Sequence, residues 1–394
     1  MKYNFDEIID RRNTNSEKWD LYPADVLPMW VADSDFKCPQ PVIDTIAAMV
    51  QRGVFGYTMD DGEFEKAYAG WAARHYGWQA DASWVEWCPS LGTALALVIR
   101  TFSKPGDNVA MLTPIYPPFT TLCGINDRTA LGSELKPDAQ GVYRVDFEDL
   151  EKKLADPRTS LFLLCSPHNP TGRAFSREEL SRMGELCVKH NVIVFSDEIH
   201  ADLIYNGEHT AFPALSPEIA EITLVGMNAS KTFNLADLRA AAVLSSSERL
   251  LQAFAAERNR CKLGRCSLGV AGVTAAYTRS QDYLDQIKPY IEANMRHAVE
   301  FINGSIPGVK TYMPEATYLL WLDCRELCAK LGAQPGSEQE TLNKFMLEKA
   351  KVALNSGASF GASGTGFLRL NLACPRALVD EGLGRIKRAV EELK

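Results

Sequence analysis

Lys231 stands in the segment NASKTFNLADLR (228–239), directly behind the apolar run ITLVGM (222–227). An apolar strand that delivers an ammonium into a Ser-, Thr- and Asn-rich turn is an unusual way to place a lysine. A lysine amine becomes a nucleophile when desolvation or a neighbouring cation lowers its pKa. The chemistry this suggests is a Schiff base with an aldehyde cofactor, which an aspartate and a phosphate cradle would hold.

Asp197 supplies the aspartate. It closes the apolar run VIVFS (192–196), where a carboxylate is costly unless paired. The protonated nitrogen of a cofactor ring would pair it; capping of the next helix is the competing use. His200, three residues on, could reach a ring hydroxyl of that cofactor, or be an ordinary core or surface histidine. SPHNPTGRAFS (166–176) follows a second apolar run, Leu161–Cys165. Its two prolines and glycine fix a rigid turn that holds the Asn169 amide in one orientation, unless Asn169 is simply a turn residue.

Ser90-Leu91-Gly92-Thr93 opens a helix after WVEWCP. Glycine lets the backbone approach a ligand, and free N–H groups at a helix start bind anions, although a plain N-cap fits the same residues. Arg239, eight residues after Lys231, offers a cation to the same phosphate. Tyr116, after the strand Asn108–Leu112, presents a ring that either stacks on a flat cofactor or fills the core. Tyr57, in FGYT (55–58), is a phenol in a glycine-bounded turn. Arg369 lies inside the apolar strand of GFLRLNLACPR (366–376). A buried arginine needs an anion, which is either an internal acid or a substrate carboxylate gripped by its planar fork.

The elements that must position these groups alternate. Strands are expected at 84–87, 108–112, 161–165, 192–196, 222–227 and 240–245, with helices at about 93–102 and 176–190 between them. Such alternation implies an α/β fold with a mainly parallel sheet covered on both faces. Ligands in such sheets sit just beyond the strand ends, where most of these residues fall. From about 285 the pattern changes to a long helix, strand-like 316–322, a helix at 338–350 and strands near 352–354 and 367–372. This reads as a smaller α+β domain. The expected organisation is an N-terminal segment (1–48) packing with a small domain (286–394), and a large cofactor-binding domain (49–285).

The bulk numbers exclude other classes. A net charge of −8 over 394 residues gives no basic face for nucleic acid or an anionic membrane. The ten cysteines form no CxxC pair and lack histidines at zinc-like spacing, so reduced buried thiols are expected and no metal. MKYNFDEIIDRR has no apolar core of a signal peptide, and no run approaches the ~20 residues of a membrane span. A cytoplasmic protein is expected.

Together the motifs resemble the fold-type I pyridoxal 5'-phosphate (PLP) enzymes of the aminotransferase class I/II superfamily, over nearly the whole chain. More narrowly, the chain is similar to the MalY/PatB branch of cystathionine β-lyases, or C–S lyases. The branch motifs are RRNTNSEKWD (11–20), MWVADSDFKCPQPV (29–42), FGYT, SPHNPTGR, SDEIHADLIY (196–205), SKTFNLADLR (230–239) and VALNSGASFG…GFLRLNLACPR (352–376). The resemblance implies that Lys231 links to the cofactor and acts as acid and base at Cα. It implies that Asp197 pairs the ring nitrogen, Asn169 contacts the ring oxygen and Tyr116 stacks on the ring. His200 stands where many members have tyrosine. Gly92, Thr93, Ser230 and Arg239 would hold the phosphate, with Tyr57 of a neighbouring subunit, so a homodimer is implied. Arg369 would take the substrate α-carboxylate.

The chain departs from the branch at Ser34, usually Met, and at Asp237, usually Gly. Arg239 is often lysine, and SLGTA (90–94) replaces a Gly-Val-Val form. The lyase reading implies cleavage of cystathionine or a related S-substituted cysteine to a thiol, pyruvate and ammonia. An aminotransferase would use the same residues. A binding or regulatory protein without turnover is the reading from another class.

Overall fold

The computed structural model describes residues 1–393; Lys394, the last residue of the expected 286–394 unit, lies outside them. The seven-stranded sheet consists of β1 (Val85–Cys88), β2 (Asn108–Thr113), β3 (Thr129–Glu134), β4 (Thr159–Cys165), β5 (Ile193–Asp197), β6 (Thr223–Met227) and β7 (Ala241–Leu244). Their spatial order is β1-β7-β6-β5-β4-β2-β3. Only β7 runs against the rest, pairing antiparallel with β6 and β1.

Successive residues of a strand face opposite sides, so a strand buried on both faces must be apolar throughout. Strand β4 shows this. Leu161 and Leu163 join the core on one face with Val109, Met111, Leu95 and Val98. Phe162 and Leu164 join the core on the other with Ala110, Leu112, Leu180 and Met183. The helices α1 (Glu63–Tyr76), α2 (Leu91–Phe102), α3 (Pro117–Ile125) and α4 (Arg177–His190) belong to this part of the chain. Ser176 and Glu179 form a reciprocal capping box that starts α4 where the Ser-x-x-Glu pattern calls for it. A four-residue helical turn, α5 (Ser230–Phe233), carries Lys231.

The long helix α6 (Gln281–Ser305) follows, then a three-stranded antiparallel sheet of β8 (Leu319–Asp323), β9 (Asn355–Ser356) and β10 (Phe367–Asn371), and a last helix, α7 (Arg376–Glu391). Three details differ from expectation. The strand expected from Ala316 starts at Leu319, because Thr317 has a left-handed backbone (φ 72°) and Ala316 bridges singly to Ile204. The helix expected over 338–350 is α-helical only over Glu338–Phe345, then widens into a π-turn over Met346–Ala350 and stops at Lys351 in the left-handed region. Val352–Ala353 pairs with Leu27–Pro28 rather than with the three-stranded sheet.

That pairing ties down the N-terminal segment. A buried charge cluster completes the attachment: the Lys18 ammonium donates to Asp35 at 2.8 Å, and Arg11 and the Trp19 indole donate to the same carboxylate. Burial works against the Lys18 charge, but Asp35 and Asp33 outweigh it and raise its pKa. Near Asn169, Gly172 adopts φ 69°, and a Cβ there would lie 2.3 Å from Pro314, so only glycine fits the approach.

Removing the most buried cation of this cluster leaves Asp35 with only Arg11 and the Trp19 indole, and its Oδ2 without a donor. Lys18→Met is therefore expected to lower unfolding stability by about 3 kcal/mol, measured by urea denaturation at pH 7.

Candidate active site

The parallel strands end on one edge, and most of the loops leaving that edge carry a residue of the site. Asp197 is the last residue of β5, Asn169 follows β4, Tyr116 follows β2 and caps α3, and Lys231 follows β6. In the order β5-β4-β2-β3 the succession of strands switches sides between β4 and β2, which is where open α/β sheets form a ligand crevice. Arg369, from β10, reaches across from the smaller sheet and donates to Asn169 Oδ1 at 3.0 Å.

Residues 30–35 form a strap over this crevice. The Lys231 ammonium donates to the Ala32 carbonyl at 2.5 Å, and the Tyr318 hydroxyl donates to the same oxygen at 2.9 Å. Arg369 donates to the Trp30 carbonyl at 3.2 Å and to Asn355 Oδ1 at 2.5 Å. The amide of Asn371 donates to the carbonyls of Val31 and Asp33, and that of Asn234 to those of Ser34 and Phe36. The strap is thus held by two asparagines and itself holds the two site cations.

The internal acid that was the alternative partner for Arg369 is not found among the described residues. Its contacts are neutral oxygens and the Phe360 ring, 5.0 Å away, and its Nε is buried without a partner. Burial lowers its pKa to about 10 against the pull of Tyr116 and Tyr318. A cation so placed retains capacity for an anion, and a carboxylate suits its planar fork.

Asp197 accepts one hydrogen bond, from the Ile199 amide at 3.1 Å; no helix follows it directly, so it does not serve as the helix cap that was the alternative use. No cation touches it. Burial raises its pKa to about 7, with Ile199 and Lys231 pulling it down and Glu198 pushing it up. Lys231 moves the other way, to about 8, because burial and Arg369 disfavour its charge more than Asp33 and Asp197 restore it. His200 is buried, and burial followed by Lys231 and Arg369 drives its pKa well below the usual value. It is neutral near pH 7, and its Nδ1 has no partner.

These unfinished groups are the test of whether a PLP ring fits. A carboxylate without a cation, a histidine nitrogen without a partner and an amine near neutrality are left open at one crevice. Each is completed by a pyridinium nitrogen, a ring substituent or an aldehyde. The phosphate end is more mixed. Ser90 is a real N-cap, accepting from the Thr93 amide at 3.1 Å, while the first amides of α2, at Leu91 and Gly92, have no acceptor among the described residues. A Cβ at Gly92 would meet only Ser90 Oγ at 3.8 Å, so the packing leaves room there. Ser230 is buried, and Arg239 is exposed in a left-handed conformation with no ion-pair partner among the described residues. Tyr116 is 41% exposed and so is not a core residue; Tyr57 is fully exposed and touches nothing of this crevice in its own chain. Asp237 is exposed and makes no contact with Lys231, whereas Ser34 is buried in the strap.

Sequence reasoning missed Asn355, Tyr318, Asn371 and the strap carbonyls. Asn355 lies within a motif that was visible, but backbone carbonyls carry no side-chain signature.

The protein matches the family described as aminotransferase class I and II over residues 30–386. It is 40% identical to cystathionine beta-lyase PatB of Bacillus subtilis (strain 168), covering 98% of this chain and 100% of that one. It is similar to a PLP-bound C-S lyase from Staphylococcus hominis (TM-score 0.91, 30% identity, 99% of each chain). It is also similar to a PLP-bound putative aminotransferase from Clostridium difficile 630 (TM-score 0.93, 36% identity, 99% of this chain and 100% of that one).

A raised carboxylate pKa stabilises the protonated folded state, so its stability contribution declines as pH rises from about 4 toward 7. In cofactor-free protein, Asp197→Asn is expected to be more stable than wild type by about 1–3 kcal/mol at pH 8. The difference should close toward pH 4, as read by thermal unfolding at both values.

Proposed function

The chain belongs to the class I and II aminotransferase family, and from that premise we propose that it is a PLP-dependent carbon–sulfur β-lyase. It cleaves cystathionine or a related S-substituted cysteine, with one water, to a thiol, pyruvate and ammonia. The carrying observation is the set of one amine, one carboxylate and one guanidinium at a single crevice, each lacking its complementary partner. The lyase relatives over the whole length favour this reaction over transamination.

When bound, PLP supplies an aldehyde that captures amines and a ring that accepts the electron pair left at the substrate Cα. Asp197 would hold a proton on the ring nitrogen, and the Asn169 side chain, already fixed by Arg369, would contact the ring oxygen. His200, uncharged, offers its free Nδ1 at the same crevice. Tyr116 flanks the ring. The free amide of Gly92 and the Thr93 hydroxyl, with Ser230 and Arg239, would hold the phosphate. Arg369 binds the substrate α-carboxylate and so orients Cα toward Lys231. The Lys231 amine, with its pKa lowered to about 8, takes the Cα proton; such a base contributes ~10²–10⁴-fold. The thiolate then leaves from Cβ, and water completes release of pyruvate and ammonia.

The active unit is a homodimer acting in the cytoplasm. Support comes from the loop before α1, where Val54, Phe55, Tyr57 and Met59 are all exposed, a grouping that a second copy of the chain would cover. Tyr57 then reaches the phosphate of the neighbouring subunit. No helix of the described residues is long and apolar enough to cross a membrane.

Pyruvate release from cystathionine is expected to fall at least about 100-fold in Lys231→Ala. Full retention of activity would overturn the mechanism. Arg369→Lys should raise KM about tenfold or more, since a point charge replaces a two-pronged grip. Incubating the wild-type enzyme with an amino donor and a keto acid tests the runner-up: rapid transamination with little pyruvate release would favour it. Tyr57→Phe is expected to weaken PLP retention on dilution, followed by absorbance beside sedimentation.

A further inference from the structure

The lysine turn α5 is fastened on both sides of Lys231. Before it, the Ser230 amide donates to Asn228 Oδ1 at 2.9 Å; after it, Asn234 ties the turn to the strap. The residue next to the lysine, Thr232, is fully enclosed and donates its hydroxyl to Asp202 Oδ2 at 2.6 Å. Asp202 is buried as well, and its other oxygen accepts from the Trp71 indole at 2.9 Å and the Tyr76 hydroxyl at 2.6 Å. Trp71 and Tyr76 both belong to α1. A carboxylate with three donors and no cation is expensive to bury for packing alone. Its donors come from two elements that otherwise share no polar link, the helix α1 and the lysine turn. Nothing in the mechanism uses Asp202 directly.

We propose that Asp202 is a positioning residue for Lys231, fixing the lysine turn to α1 through the Thr232 hydroxyl. The inference rests on the reading of Lys231 as the cofactor-linking amine. Thr232 has a β-branched side chain with few rotamers, so the hydrogen bond from its hydroxyl adds a stiff fastening in the middle of a turn already held at both ends. The Lys231 backbone lies one residue away and shares that fastening. If the hydrogen bond is cut, the lysine turn is held less firmly, strain on the lysine–cofactor link relaxes, and the linking nitrogen becomes easier to protonate. Small displacements of a reacting group cost rate steeply, whereas substrate carboxylate binding at Arg369 is untouched.

The test uses the PLP-loaded enzyme with Thr232→Val, which keeps the shape and removes the hydroxyl, and Thr232→Ser, which restores it. The visible absorbance of the lysine–cofactor link is titrated with pH, and kcat and KM are measured beside thermal stability. In Thr232→Val the titration midpoint should move upward by about half a pH unit or more. Its kcat should fall about tenfold to a hundredfold with KM within about twofold. Thr232→Ser should return both toward wild type, and Asp202→Asn should shift the midpoint in the same direction as Thr232→Val. An unchanged midpoint and kcat in Thr232→Val overturns the proposal. So does a parallel loss of thermal stability and activity in both threonine variants with the midpoint unmoved, which marks a structural role only. Failure of the underlying reading looks different: wild-type protein would then form no visible band with PLP at all.

Discussion

Everything in this site depends on holding two cations with oxygens that carry no net charge. Arg369 and Lys231 share one buried crevice, and each lowers the pKa of groups around it. An internal carboxylate on Arg369 would have settled the electrostatics and spoiled the chemistry, because the guanidinium would then have nothing left to offer a substrate. The chain instead gives it Asn169, Asn355 and the Trp30 carbonyl, and gives Lys231 the Ala32 carbonyl. Neutral oxygens orient a cation without cancelling it. The requirement reaches outward: carbonyls stay aimed only if the strap is fixed, and Asn371, Asn234 and the Lys18–Asp35 pair fix it.

Much of this was legible in the sequence wherever function forced an odd residue into an ordinary pattern. A lysine after an apolar run, an aspartate ending one and an arginine inside one are each costly to bury, and all three meet at the crevice. The alternating strands were visible for a similar reason, since a strand covered on both faces has to be apolar throughout. The strand edges were less visible. Thr317 turns to a left-handed backbone that no composition rule assigns to threonine, so β8 starts later than its apolar run. The strap was hidden for a deeper reason: its contribution is made by backbone carbonyls of Trp30 and Ala32, and any residue has one. Asp202 was in plain view within SDEIHADLIY, yet its meaning depends on Thr232, Trp71 and Tyr76 meeting in space.

The departures from the branch pattern separate in the structure. Asp237 looked like the strongest anomaly in sequence, a charge six residues from the lysine. It faces solvent and leaves the lysine alone. Ser34, by contrast, is buried within the strap, with its carbonyl engaged by Arg11 and Asn234. A smaller side chain there alters the roof of the crevice rather than the catalytic groups. Differences in the group carried on sulfur are better sought at that roof than in the lysine loop.

The strap also has a consequence for synthesis. Trp30 meets Arg369 across a sequence separation of 339 residues, and Leu27–Pro28 pairs with Val352–Ala353. A chain emerging from a ribosome completes Asp197 and Lys231 while β10 is still unmade. Such a chain has the cofactor end of its site and no grip on a carboxylate. Contacts that span nearly the entire chain close last and slowly. On the function proposed above, the order in which the chain is built keeps the Lys231 amine from meeting a substrate held by Arg369 until nearly the last helix has been translated.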